Sequence, residues 1–143
     1  MGTVEEENKD LMSHIFELVN KKKTAAVCFD FCDSNYVEHR YDGELSLEEA
    51  KQEILNFPQY TDYSLTVDHL LADGDKVAYS VSHRYTDGAT GKKIKLTSTC
   101  IVRIAKGKMM ENWVLGDRLN VFQQLGLLPS TEEILKNAQN ITD

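Results

Sequence analysis

The fold is decided by a stretch in which apolar and polar residues alternate, SLTVDHLLADGDKVAYSVSHRYT (residues 64–86). A period of two predicts half-buried β-strands, one on each side of the pair Asp73-Gly74. Asp-Gly is a preferred two-residue hairpin turn, so we expect the two strands to lie side by side and antiparallel. One face of the second strand is expected to carry Tyr79, Val81, His83 and Tyr85.

Two more strands are predicted after this hairpin. The loop Asp87–Gly91 leads into a third strand at about residues 93–105, and Lys106-Gly107 forms a tight turn into a fourth at about residues 108–117. Tight turns join antiparallel neighbours. The sequence therefore predicts a four-stranded antiparallel meander.

Helices are predicted on both sides of the meander. Apolar residues at helical spacing indicate an amphipathic helix from about Asn8 to Asn20. Ser46 with Glu49 forms a capping box that opens a helix running to Phe57, which Pro58 ends. Further helical segments are expected at about residues 24–31 and 120–125 and after a second capping box at Ser130, and residues 36–40 are expected to be extended.

Helices followed by a long antiparallel sheet indicate an α+β protein. The helices are the elements available to cover one face of the sheet, and a curved sheet closed by helices encloses a cone-shaped cavity suited to a ligand. At 143 residues we expect one domain spanning residues 1–143. Its core is expected at about residues 8–129, with a short acidic leader and a C-terminal helix outside the core.

Composition excludes several functions. The chain has 41% hydrophobic and 27% charged residues and a net charge of −7, which disfavours binding to nucleic acid or to an anionic membrane. No apolar run approaches the ~20 residues that span a bilayer, and the start of the chain is acidic where a signal peptide is basic. Three cysteines make no disulfide framework. We expect a cytoplasmic protein with free thiols.

The fourth strand suggests a catalytic carboxylate. By strand parity Trp113, Leu115 and Asp117 share one face, and burial of that face would raise the pKa of Asp117 into the range useful for acid–base catalysis. An alternative interpretation places Asp117 at the edge of the strand, where its side chain caps the following helix. The local sequence leaves both interpretations open.

Histidines are the other candidates for chemistry. His83 lies between Tyr79 and Tyr85 on a strand face, and His39 lies in the short extended segment. A lone strand histidine is more often structural than catalytic. No metal-binding spacing such as H-E-x-x-H occurs, so we expect no metal site.

The C-terminal part of the chain resembles the SnoaL-like polyketide cyclases. The residues that carry the resemblance are Gly107-Lys108-Met109, Trp113, Asp117 and Gln124-Leu125-Gly126, in that order and spacing. The segment Tyr36-Val37-Glu38-His39 is similar to the family as well. The resemblance implies a nuclear transport factor 2-like cone and a pocket that works without a cofactor.

The resemblance also implies roles for particular residues. The aspartate that matches Asp117 acts as acid and base in the aldol ring closures of the family. His83, His39 and Asn112 are the candidate donors to an enolate oxygen, although Asn112 would need a bulge in the strand to face inward. The expected ligand-binding residues are Trp113, Asn112, Tyr79, Phe16 and Tyr36.

Two functions are open at this stage. One is cofactor-free acid–base chemistry on a small, apolar carbonyl compound, as in a cyclase, isomerase or hydrolase. The other is a non-catalytic ligand-binding or dimerisation module, because Asn112 stands where many relatives have histidine and the loop Asp87–Gly91 is short. In both cases we expect a homodimer that pairs through the outer face of the sheet, with Ile101 and Val114 among polar neighbours.

Overall fold

A computed structural model describes residues 2–56 and 59–142 of the chain. The helices are α1 (Val4–Lys22), α2 (Leu47–Leu55), α3 (Arg118–Gln124) and α4 (Thr131–Thr142), with a 3₁₀ helix at Ala25–Phe31. The strands are β1 (Cys32–Arg40), β2 (Gly43–Ser46), β3 (Tyr60–Asp73), β4 (Lys76–Asp87), β5 (Lys93–Ala105) and β6 (Lys108–Gly116). The α+β prediction is confirmed.

The six strands form one curved, open sheet in the order β2-β1-β6-β5-β4-β3. The meander from β3 to β6 is antiparallel as predicted, with turns at Gly74 and Gly107 that both adopt positive φ. The sheet also contains a parallel pair of strands that the sequence analysis did not predict. Strand β1 lies beside β6, and Glu38 pairs with Asn112. Strand β2 then pairs antiparallel with β1 at the edge.

Helix α1 begins at Val4, earlier than the sequence pattern indicated. Thr3 and Glu6 form a capping box, and the acidic residues Glu5, Glu6 and Glu7 fall in the first turn, where negative charge is favourable. These acidic residues are therefore part of α1. The helix ends at Lys22, and Lys23 takes a left-handed conformation.

The core lies between α1 and the concave face of the sheet. Met12, Ile15 and Val19 are fully buried and face Val77, Val81 and Val102 of the central strands. Helix α2 starts at the predicted capping box of Ser46 and Glu49. The predicted end of that helix at Phe57 and Pro58 lies outside the described residues.

Asn20 ties the end of α1 to the sheet. Its Nδ2 donates to the Leu65 carbonyl at 2.8 Å, and its Oδ1 accepts from the Leu65 amide at 2.7 Å. The side chain therefore satisfies both backbone groups of one residue in β3, as a neighbouring strand would. This pair of bonds sets the position of the helix over the concave face.

Replacing Asn20 with alanine is expected to destabilise the protein. The change removes two hydrogen bonds and leaves the Leu65 backbone groups without these partners, which costs about 1–3 kcal/mol. Chemical denaturation followed by far-ultraviolet circular dichroism measures this loss. Asn137→Ala is the matched control, because Asn137 is exposed on α4 and a surface change there should stay within about 0.5 kcal/mol. Equal stabilities for the two variants would contradict the assigned role of Asn20.

Candidate functional site

The concave face of the sheet bounds a cavity of about 340 Å³, which is lined by residues of β1, β3–β6, the 3₁₀ helix and helices α1, α2 and α3. Its wall is mainly aromatic and aliphatic. The aromatic residues that line its interior include Phe16, Phe29, Tyr36, Tyr63, Tyr79 and Tyr85. The cavity contains few polar groups, so those that do face it determine what it can bind.

The face of β6 that lines the cavity is the opposite of the one expected. Asn112, Val114 and Gly116 face inward, and Asn112 is only 5% exposed. Trp113 and Leu115 point to the outer face, where they are 37% and 64% exposed. An irregularity in β6 between Met109 and Glu111 brings both Met109 and Asn112 to the cavity, as a bulge does. Val114 does not belong to the outer face of the sheet.

Asp117 lies outside the cavity, at the junction of β6 and α3. Its side chain is exposed and accepts a hydrogen bond from the Asn120 amide at 3.1 Å, so Asp117 is the N-cap of α3. This arrangement corresponds to the alternative interpretation of the local sequence. Of the residues that carry the resemblance, neither Trp113 nor Asp117 lines the cavity.

His83 does line the cavity, as the strand pattern indicated. Its Nδ1 is hydrogen-bonded to the Tyr63 hydroxyl. Burial lowers the pKa of His83 to about 4, so the imidazole is neutral near pH 7. Burial also raises the pKa of Tyr63, which keeps the phenol protonated. The pair consists of two neutral groups that can each donate or accept a proton.

A second polar cluster runs along β1 and reaches the mouth of the cavity. The Tyr36 hydroxyl donates to Glu38 Oε1 at 3.0 Å, and Arg40 Nε donates to Glu38 Oε2 at 2.6 Å. Glu53 also pairs with Arg40 and accepts from Arg118 at 2.7 Å. Both oxygens of the buried Glu38 are therefore engaged.

Sequence reasoning missed the role of Glu38 in this cluster. Tyr36, Glu38 and Arg40 are two residues apart, which places them on one face of a strand, and this spacing was the available signal. Burial acts against the charge of Arg40, but hydrogen bonds and ion pairs with Glu53 and Glu38 raise its pKa. The cluster is thus a set of paired opposite charges at the cavity mouth.

Asn112 joins this cluster to Tyr79. Its Nδ2 donates to the Tyr79 hydroxyl at 3.3 Å, and a hydrogen bond from Asn112 lowers the pKa of Tyr36 against the larger effect of burial. One amide hydrogen is thus directed at the Tyr79 oxygen. Asn112 Oδ1 is buried and has no hydrogen-bond partner among the described residues. Asn112 lines the cavity, and its expected role as a donor to an enolate oxygen stays a prediction.

His39 and Trp113 meet on the outer face of the sheet. Their rings stack with centroids 5.0 Å apart, and His39 does not line the cavity. His39 Nε2 lies 2.8 Å from Glu111 and Nδ1 lies 3.1 Å from Glu44, while Arg103 donates to Glu111 at 2.7 Å. The bond to Glu111, reinforced by Glu44, raises the pKa of His39 although burial opposes the shift.

The outer cluster, which consists of His39, Trp113, Glu44, Glu111 and Arg103, predicts that the stability of the protein depends on pH. The pKa of His39 is higher in the folded protein than in the unfolded chain. The stabilisation that its protonated ring provides is therefore fully present below the unfolded pKa of about 6.5, and it is lost as the pH rises through the folded pKa. Between pH 6 and pH 9 the wild type is therefore expected to lose more free energy of unfolding than His39→Gln. Urea titrations at several pH values measure the difference. Parallel profiles for the two proteins would contradict the contact.

The three cysteines also line the cavity, but as thiols. Burial raises the pKa of Cys28 and of Cys32 to about 12 and that of Cys100 to about 11, so none of them is a ready nucleophile near pH 7.

Within residues 2–56 and 59–142, no three His, Cys, Asp or Glu side chains are arranged to hold a metal ion. Among the described helices, none has the length and apolar character needed to cross a membrane.

Family comparison agrees with the fold. The profile of the SnoaL-like polyketide cyclase family matches residues 9–125, most of the chain. The chain therefore belongs to the SnoaL-like polyketide cyclase family. No curated protein sequence matches it.

Solved structures share the architecture. AclR, a proposed hydroxylase from Streptomyces galilaeus, aligns with a TM-score of 0.79 at 20% identity over 92% of this chain and 93% of its own. A proposed SnoaL-like polyketide cyclase from Jannaschia sp. CCS1 gives 0.74 at 13% identity, over 90% and 98%. A proposed polyketide cyclase from Bacillus cereus ATCC 10987 gives 0.66 at 25% identity, over 82% and 79%.

Proposed function

We propose that the protein binds a small, largely apolar carbonyl compound in its cavity and moves a proton on it with its own side chains. The observation that carries the proposal is the His83–Tyr63 pair in the wall of an aromatic-lined cavity. Membership of a family of cyclases, with a neighbour described as a proposed hydroxylase, supports an enzyme of this general kind. Among the cavity-lining groups, His83 is the imidazole available for proton transfer.

His83 is suited to remove a proton from the carbon next to a carbonyl. In the tautomer that donates Nδ1–H to the Tyr63 oxygen, the lone pair of Nε2 has no partner among the described residues and can accept the proton. The product pair is an imidazolium and an enolate, and return of the proton to a different atom completes an isomerisation. A base with a pKa near 4 is deprotonated near pH 7, and the aspartate base of ketosteroid isomerase has a similarly low pKa.

The test uses 2-tetralone, a bicyclic ketone with acidic hydrogens next to its carbonyl. The wild type is expected to accelerate deuterium exchange at these hydrogens in D₂O, followed by proton NMR. His83→Gln should reduce the acceleration by about 10²–10⁴-fold, because the variant lacks the general base. Asp117→Asn is the matched control and should retain the full rate, because asparagine caps a helix as well as aspartate does.

Three outcomes separate the possible sites. Loss of exchange in His83→Gln alone supports the cavity histidine. Loss in Asp117→Asn alone would overturn this assignment and return the catalytic role to the carboxylate that the family resemblance implied. Absence of any acceleration by the wild type would contradict proton transfer on this ketone.

A non-catalytic ligand-binding protein is the second candidate. The observation that favours it is the state of Glu38, the buried carboxylate of the cavity wall, which is engaged by Tyr36 and Arg40 on its two oxygens. A carboxylate held in this way is poorly placed to exchange protons with a ligand. In this case the cavity binds 2-tetralone without accelerating its exchange.

We also propose that two copies pair through the outer face of the sheet. Strand register aligns Leu71, Ala78, Ile101 and Trp113 in one row across β3, β4, β5 and β6. The three larger side chains are 68%, 43% and 37% exposed, in chain order. A continuous apolar row of this kind, bordered by polar residues, supports an interface that pairs with its own copy.

Ile101→Glu is expected to convert a dimer into a monomer. A charge in the middle of the row would be buried against the partner without a counter-ion, which is strongly unfavourable. Sedimentation velocity at micromolar concentration measures the change, and Trp113, the single tryptophan, reports it through a fluorescence shift. Leu128→Glu is the matched control, because Leu128 has a similar exposed fraction but lies away from the row. A monomeric wild type would contradict the proposed interface.

A further inference from the structure

Four charged residues of alternating sign line the cavity and form the mouth cluster, which consists of Glu38, Arg40, Glu53 and Arg118. Arg40 bonds to Glu38 on one side and to Glu53 on the other. Glu53 in turn accepts a hydrogen bond from Arg118 at 2.7 Å. The Glu38 end of this chain of charges is buried, whereas 41% of the Arg118 side chain is exposed. The chain therefore ends in a cation that both solvent and a ligand can reach.

The two arginines differ in how many hydrogen-bond donors they have left. All three nitrogens of Arg40 are engaged, because Glu38 contacts Nε and Nη2 and Glu53 contacts Nη1. Arg118 uses Nη2 alone, and its bond goes to Glu53 Oε1, the same oxygen that Arg40 uses. Nε and Nη1 of Arg118 have no partner among the described residues. Since Nη2 carries two hydrogens and this bond takes one, one edge of the guanidinium keeps two parallel N–H donors.

The shape and charge of this open edge match a carboxylate. Two parallel N–H donors of an arginine bind the two oxygens of a carboxylate bidentately. The charges of the mouth cluster sum to zero, so a carboxylate adds a single negative charge, whereas a phosphate monoester would bring almost two negative charges beside Glu53. The rest of the cavity wall is mainly aromatic and aliphatic, and it includes Phe122 on the same helix as Arg118. A molecule with an apolar body and one terminal carboxylate complements both parts of the cavity.

We infer that Arg118 binds a carboxylate that the ligand carries at the cavity mouth, while the apolar body of the ligand enters the cavity. The inference rests on the proposed function, because it requires the cavity to be a ligand site. It adds that the carbonyl compound is also a carboxylic acid. Arg118 serves recognition, and proton transfer at His83 does not involve it. Because Glu53 already offsets part of its charge and water reaches it, Arg118 contributes a moderate gain in affinity, about tenfold.

The test compares 2-naphthylacetate with 2-naphthylacetamide, which have nearly the same shape and differ in one negative charge. Isothermal titration calorimetry of the wild type at low salt should give a dissociation constant for the acetate lower by at least about tenfold. In Arg118→Gln the acetate affinity should fall to that of the amide, while the amide affinity stays the same. Arg84→Gln is the matched control and should retain the preference, because Arg84 is exposed on the outer face of β4.

A second variant, Glu53→Gln, separates ligand binding from a purely structural role of the ion pair between α2 and α3. If this ion pair only held the two helices together, Glu53→Gln and Arg118→Gln would weaken both ligands alike. Under the inference the two variants act in opposite directions, because loss of the Glu53 charge releases Arg118 for the acetate. Glu53→Gln should therefore lower the dissociation constant for 2-naphthylacetate by about two- to fivefold and leave that for the amide unchanged.

The outcomes distinguish this inference from the proposed function. Equal affinities of the wild type for the two compounds would overturn the role of Arg118 and leave the cavity as a ligand site. A preference that persists in Arg118→Gln, or weaker binding of the acetate by Glu53→Gln, would also overturn that role. Binding of neither compound would overturn both the inference and the proposed ligand site. The wild-type comparison decides the matter even where a variant fails to fold.

Discussion

The parallel pairing of β1 with β6 is the constraint on which the site depends. It places Glu38 beside Asn112 on the concave side and His39 beside Trp113 on the outer side. On the concave side, the hydrogen-bonded group of Tyr36, Glu38 and Arg40 thereby lies on the strand next to Asn112. On the outer side, the His39 ring covers Trp113 and joins Glu44 of β2 to Glu111 of β6. One strand contact thus arranges the polar groups on both faces of the sheet.

Local sequence patterns predicted the elements that depend on local physics. The hairpins follow from Asp73-Gly74 and Lys106-Gly107, and α2 follows from the Ser46–Glu49 capping box. The α+β class followed from the order of these elements. The contact between β1 and β6 joins segments about 75 residues apart in the chain, so no local pattern could reveal it.

The residues of β6 alone do not show which face of the strand lines the cavity. The strand has apolar side chains on both faces. Met109 and Val114 face the cavity, whereas Trp113 and Leu115 face outward. A large tryptophan normally indicates the buried face, yet here the outer cluster partly covers it. The error in parity carried Asp117 into the predicted cavity and placed Asn112 outside it. By contrast, apolar and polar residues alternate regularly in the strand that carries His83, so the pattern assigned His83 to the correct face.

The cavity is notable for how many of its polar groups are engaged with each other. Glu38 is neutralised by Arg40, and the three thiols keep their protons. The Tyr36 hydroxyl donates to Glu38, and the Asn112 amide donates to the Tyr79 oxygen. Nε2 of His83 has no partner among the described residues and remains able to act on a ligand. A base for proton transfer set in a mainly aromatic wall is the simplest chemical description of the site.

An NMR pH titration of the four histidine imidazoles tests this account most directly, because it reports which sheet face each ring occupies. We expect His83 to stay neutral until the pH falls to about 4, because burial in the cavity wall disfavours its charged form. We expect His39 to titrate above about 6.5, because two carboxylates hold its ring. Titration of both rings near 6.5 would contradict the buried histidine, the outer ion pairs and the assignment of the two faces.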